Sequence, residues 1–198
     1  MTSAARKTSD AARPQGFSLL EMVVVLALVA MVIAGAAGAM YFNRDEGKLN
    51  RTMGDIEILA KRARAIASLQ QRPYALEFSQ AGVALMPYAE ALMAPEDRGY
   101  FAAMEGQSGT GEQALASAGN SSVRAALELE PDFQLSVRRW ATGDWVPMDA
   151  RNRQVWRFDP QGICEPVGVR LDLETGSWVA SMFHPLTAGV ADTESEIR

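Results

Sequence analysis

From Met22 to Phe42 the chain is apolar, with no charged residue. A run of that length suffices for a bilayer-spanning helix, which takes about 20 apolar residues, so residues 17–42 are expected to form a transmembrane helix. From Asn43 the pattern turns amphipathic. Leu49, Met53, Ile56, Ala60, Ala63 and Ala67 recur at alternating gaps of four and three, the spacing of one helical face. Lys61, Arg62 and Arg64 fall mostly on other faces, and Pro73 should stop the helix near Gln70 or Gln71. Residues 43–72 therefore continue the helix as an amphipathic spine, with Gly47 and Gly54 as places for a kink.

Past Pro73 the period becomes two. Tyr74, Leu76 and Phe78 alternate with Ala75, Glu77 and Ser79, and Gln80-Ala81-Gly82 turns into Val83–Met86, a hairpin ended by Pro87. Residues 88–122 hold no sustained period and predict a long loop, with short helical turns at Ala89–Leu92 or Gln113–Ala118. Loops of this length are usually functional or disordered. Alternation returns at Leu127, Leu129, Phe133, Leu135 and Val137, with Pro131 marking an edge or bulge. Trp140 and Trp145 flank a second hairpin turn, and Val155–Phe158 leads into the turn Asp159-Pro160-Gln161-Gly162. Val167–Leu173 and Trp178–Phe183 complete a β domain over 73–184. The polar, acidic residues 185–198 predict a flexible tail. One long helix followed by about six to eight antiparallel strands is an α+β order, with the helix packed on antiparallel sheet.

Ahead of the apolar run lies a short basic segment, residues 1–16, carrying Arg6, Lys7 and Arg13. The positive-inside rule keeps this end cytoplasmic and sends the remainder across. At the junction stand Gly16, Phe17, Ser18, Leu19, Leu20 and Glu21. A carboxylate at the head of a membrane helix is costly and marks a functional hypothesis. It would also complement the positive end of the helix dipole.

This junction resembles the class III signal of type IV pilins and type II secretion pseudopilins: a basic leader ending in Gly, then Phe, a hydroxyl residue, two apolar residues and Glu. The resemblance implies cleavage between Gly16 and Phe17 by a prepilin peptidase and N-methylation of Phe17. It also implies an assembly role for Glu21, facing the N-terminal amine of a neighbouring subunit. Two opposite charges in a low-dielectric layer are best relieved by each other. Within that family, Ala60–Ala67 looks like the Ala/Arg-rich helix end of the GspH/FimT group. Val155–Gly162 is similar to that group's strand and Pro-x-Gly turn. The resemblance implies a pilin-like fold, a minor pseudopilin of an envelope-spanning pseudopilus, and an inner-membrane protein with its β domain in the periplasm. Its partners would be other pseudopilins, major and minor, met through the N-terminal helices. A type IV pilus minor pilin of FimT type is the near alternative. The distant one is an exported binding domain or hydrolase with an ordinary signal peptide cut at the A-x-A-like Ala37-Gly38-Ala39; the length of the apolar run and the charge at its start weigh against it.

Composition narrows the chemistry. Loss of the leader removes three basic residues and one acid, moving the formal net charge from −5 to −7. Such a chain offers no basic face for nucleic acid. Cys164 and His184 are each the only residue of their type, which excludes an internal disulfide and a multi-cysteine metal site. No nucleophile motif or Walker-type phosphate loop is present. No enzyme activity, cofactor or metal is therefore expected. Asp144, Asp149 and Asp159 occupy turns, where carboxylates usually bond their own backbone; no EF-hand ligand series points to calcium. The four tryptophans are expected to fill the core between helix and sheet.

Overall fold

The computed structural model describes residues 18–99 and 122–198, without the side chains of 36–43. Helix α1 runs Leu19–Gln70, 52 residues, uninterrupted at Gly47 and Gly54. The chain divides into two compact units, Met1–Tyr41 and Phe42–Arg198.

In the first unit, the described apolar side chains are all exposed, Leu19 at 85% and Met31 at 76%. The expectation of a spanning helix over 17–42 needs correction to this extent: among the described residues no helix is long and apolar enough to cross a membrane. The apolar run is described only as far as Gly35, and the rest of it lies outside the residues with described side chains.

In the second unit, all six positions of the helical stripe are buried, with Leu49, Ile56, Ala60, Ala63 and Ala67 wholly so. The helix ends at Gln70 because Gln71 turns left-handed at φ 52°. The Arg72 amide then donates back to the Ala67 carbonyl at 3.3 Å, the bond of a Schellman-type terminus. Pro73 follows and cannot continue the helix.

Two antiparallel sheets close on that stripe. The first joins β1 (Tyr74–Ser79), β2 (Gly82–Pro87), β3 (Ala125–Glu128) and β6 (Gln154–Phe158) in the order β3-β2-β1-β6. The second joins β4 (Phe133–Arg139), β5 (Trp145–Pro147), β7 (Val167–Leu173), β8 (Trp178–Phe183) and β9 (Val190–Glu196) in the order β5-β4-β7-β8-β9. Alternating residues of both sheets point at the helix, as their period demands. Trp156 sits at the centre, its ring 4.5 Å from Phe158, 5.3 Å from Phe183 and 6.4 Å from Phe78. Its indole N–H donates to the Glu165 carbonyl at 2.8 Å, the partner a buried tryptophan requires. At the β1–β2 turn, Gly82 has φ 143°, and a side chain there would lie 2.0 Å from the Leu127 carbonyl oxygen.

Two expectations change. The described residues hold nine strands, one beyond the expected range. The extra one is β9, where a flexible tail was expected. Polar cross-strand contacts hold it to β8 in place of burial: Ser181 with Thr193 at 3.0 Å, and the Trp178 indole with Glu196 at 3.3 Å. Of the tryptophans, only Trp156 is fully in the core. Trp140 is 70% exposed, and Trp145 and Trp178 lie half-buried under Arg138 and Arg170, at 4.6 and 4.3 Å. Guanidinium stacking on an aromatic face replaces burial there. The helical turn expected at Ala89–Leu92 is present as α2 (Tyr88–Ala91), and residues 95–99 are helical as well; the second expected turn, 113–118, lies outside the described residues.

Candidate assembly site and its scaffold

Gly16 and Phe17 lie outside the described residues. The first described residue, Ser18, starts the helix. Its hydroxyl accepts the Glu21 amide at 3.2 Å and its carbonyl accepts the Met22 amide at 3.2 Å, so Ser18 is the N-cap and Glu21 the third helical residue. Ser-x-x-Glu is the capping-box sequence, a local signal that the search for a processing motif passes over. The cap ties up an amide of the first turn, and the Glu21 side chain stays exposed beside the positive end of the helix. An exposed carboxylate held at a helix start is geometrically free to meet a cation from outside the chain.

The two motifs in the body of the chain meet each other. Arg64, from the Ala/Arg-rich end of α1, donates through Nε to the Gly162 carbonyl at 2.8 Å. Gly162 has φ 76°, and its amide closes the turn onto the Asp159 carbonyl at 2.8 Å. A side chain at Gly162 would press on Ser68 and Arg64, 3.2 and 3.3 Å away. The Pro-x-Gly turn is thus the seat on which the end of the helix is fastened.

The start of the long loop is fastened too. Glu77 faces away from α1, yet it is only 7% exposed because the segment after β2 covers it. Arg98 meets its carboxylate with two parallel bonds, 2.8 and 2.6 Å, and also reaches the carbonyls of Ala91 and Met93. The carboxylate and the hydrogen bonds to it hold the guanidinium above its ordinary pKa against the cost of burial. Arg153 approaches the same carboxylate at 3.4 Å.

The remaining candidates are bound up locally. Asp149 accepts the amides of Arg151 and Asn152 at 2.7 and 2.8 Å, the self-bonding expected of a turn carboxylate. Asp159 pairs with Arg157 at 2.5 Å. His184 is exposed, and its Nδ1 accepts the Leu186 amide at 3.2 Å. Cys164 is buried, its thiol pushed up to about 11 by that burial, and its sulfur donates to the Pro185 carbonyl at 3.3 Å. A thiol so placed is a packing group. Among the described residues, no group of three or more His, Cys, Asp or Glu is arranged to hold a metal ion.

Residues 12–37 match the model of the prokaryotic N-terminal methylation motif. The matched span contains Gly16, Phe17, the Ser18 cap, Glu21 and the exposed apolar start of α1. No curated protein and no solved structure matches the chain. The motif fits type IV pilin-like proteins, pilin or pseudopilin. An N-terminal helix followed by antiparallel sheets is consistent with their α+β fold.

Proposed function

We propose that this protein is a minor pseudopilin of a type II secretion system, of the GspH/FimT group, incorporated near the tip of a short pseudopilus. The observation that carries the reading is the methylation motif at residues 12–37 placed directly on the capped start of α1, with the β domain following. In this reading a prepilin peptidase cuts after Gly16 on the cytoplasmic side and Phe17 is then N-methylated. The apolar side chains from Leu19 to Ile33, all exposed in the single chain, are covered by inner-membrane lipid before assembly and by the helices of other pseudopilins after it. Glu21 takes the N-terminal amine of a neighbour as its counter-charge. The β domain, on the periplasmic side, presents contact surface to other minor subunits, and the chain is the substrate of an enzyme without being one.

The Arg64–Gly162 contact supports the GspH/FimT subgroup, since it joins the two segments on which that likeness rests. A type IV pilus minor pilin of FimT type shares every one of these features and is the second reading.

The test is the intact mass and N-terminal sequence of the protein recovered from host membranes. A chain beginning at N-methylated Phe17 is expected; a soluble chain beginning near Met40 overturns the proposal. Glu21→Ala is expected to lose crosslinking to partner pseudopilins while its β domain melts unchanged. Wild-type crosslinking of that variant removes the assembly role of Glu21.

A further inference from the structure

The two sheets have four edges, and three of them are blunted. β5 is three residues long and ends in Pro147, which cannot donate to a neighbour. β3 has four residues. Beyond β6, the Val155 carbonyl is taken by Arg139 at 3.3 Å, and Phe158 is bridged by Cys164. β9 differs. It is seven residues long, every residue is exposed, and β8 is its one strand neighbour among the described residues, with only the Val190 amide at its start held elsewhere, by Glu57 at 3.0 Å.

The chemistry of that edge is specific. The Thr193 amide is held by the neighbouring Asp192 carboxylate at 2.9 Å. The Leu173–Ser177 backbone bond at the β7–β8 turn leaves Trp178, Ala180 and Met182, the partners of Glu196, Glu194 and Asp192, to face β9 with their backbone groups. Thr193, and Ser195 two residues on, therefore turn their backbone groups to the open side. Asp192, Glu194 and Glu196 alternate along the strand and so share one face. Glu196 is paired with Arg198 at 2.8 Å; Asp192 and Glu194 have no ion pair among the described residues. A second β9 laid against this one would bring carboxylates opposite carboxylates, which is destabilising. The edge therefore rejects its own copy while remaining long enough to template another strand.

We propose that β9 is a docking edge for an extended segment of a different protein with Lys or Arg at alternate positions, which adds a strand to the second sheet. Backbone bonds to the Thr193 carbonyl and to Ser195 supply the register, and the basic side chains meet Asp192 and Glu194. This surface does not depend on processing at Gly16 or on Glu21, so it stands or falls apart from the filament reading.

The experiment titrates the full chain in detergent micelles with a short synthetic peptide alternating lysine and threonine, followed by amide NMR. Two further peptides carry backbone N-methyl groups at the odd or at the even positions, and a fourth replaces lysine by glutamate. The expected result is binding of the lysine peptide with shifts at Thr193 and Ser195 and slowed exchange at Ser195. One of the two N-methylated peptides should lose that binding and the other keep it, because only alternate amides face β9. The double substitution Asp192→Lys/Glu194→Lys, at exposed positions, should reverse the preference toward the glutamate peptide by about tenfold. Equal binding by both N-methylated peptides would reduce the effect to charge attraction and overturn strand addition. Absence of binding, or shifts centred away from β9, overturns the docking edge itself.

Discussion

The two ends of α1 use their apolar side chains in opposite ways. Between Leu19 and Ile33 the apolar residues surround the helix and all are exposed; between Leu49 and Ala67 the six residues of the 3-4 stripe are buried, while Ile58, off that stripe, is 63% exposed. Helical hydrogen bonding is the same in both, so the difference lies in what the side chains are built to meet. A stripe meets a sheet within its own chain, and an all-round apolar surface needs a cover that the chain does not supply. Periodicity thus marks the part of the helix that folds this protein, and its absence marks the part whose apolar surface the chain leaves exposed.

The sharpest way to break that contrast is to place one charge in each region. Ile56→Asp puts a carboxylate at a position of zero exposure and is expected to unfold the second unit, since an unpaired buried charge costs several kcal/mol. Val25→Asp, at a residue 48% exposed, should leave the β domain's melting temperature unchanged and reduce recovery in the membrane fraction. Thermal melting by circular dichroism, alongside membrane fractionation, reads both. A matching loss of melting temperature in the two variants would abolish the distinction.

Next in size is the ion pair that fastens the loop. Glu77→Ala leaves the Arg98 guanidinium buried without its carboxylate, and removal of one partner of a buried pair costs about 3–5 kcal/mol. Replacing both residues, Glu77→Leu with Arg98→Met, should recover most of that loss in urea unfolding. Failure of the double variant to recover would mean that the pair acts through packing and not through charge.

How much of this was legible follows from the same contrast. The buried stripe could be read residue by residue, because one face of a helix against a sheet imposes a 3-4 spacing that few other structures need. The helix end was legible from Pro73, and the Gly162 turn from its Pro and Gly. Glu77 was not, since an alternating strand assigns it to the solvent side; its burial depends on Arg98, which lies 21 residues on in a segment without periodicity. Nor was β9, whose strand character rests on backbone pairing and on hydroxyl and carboxylate contacts with β8. At the candidate site, Gly16, Phe17 and Glu21 stand out in the sequence because the methylation motif that spans them is itself a linear pattern. The Ser18 cap is also written there, in the same letters, yet a cap and a processing signal answer different questions of one string.

A smaller effect tests how tightly the stripe is packed. Ala63 is wholly buried between helix and sheet, and small residues on that face set how close the helix lies. Ala63→Leu should cost about 1–3 kcal/mol by overpacking, whereas Ala65→Leu, on the exposed side of the same turn, should change stability little. Chemical denaturation of the two variants separates them, and equal midpoints would mean that the helix seat is not close-packed.

The smallest expected change is a gain. Gln71 sits at φ 52°, the left-handed residue that ends α1, where glycine carries no side-chain penalty and other residues pay on the order of 1 kcal/mol. Gln71→Gly should relieve that strain. The substitution also removes the Gln71 side-chain bond to the Ser68 carbonyl, 2.7 Å. That bond is exposed to water and contributes little, and glycine loses more entropy on folding. The balance is a stabilisation of about 0.5 kcal/mol, read as a slightly higher urea midpoint at unchanged slope. Gln71→Val, a branched residue that resists positive φ, should move the midpoint the other way. If both variants shifted in the same direction, the helix end would be held by Pro73 and the Arg72–Ala67 bond alone, and the left-handed turn would be their consequence.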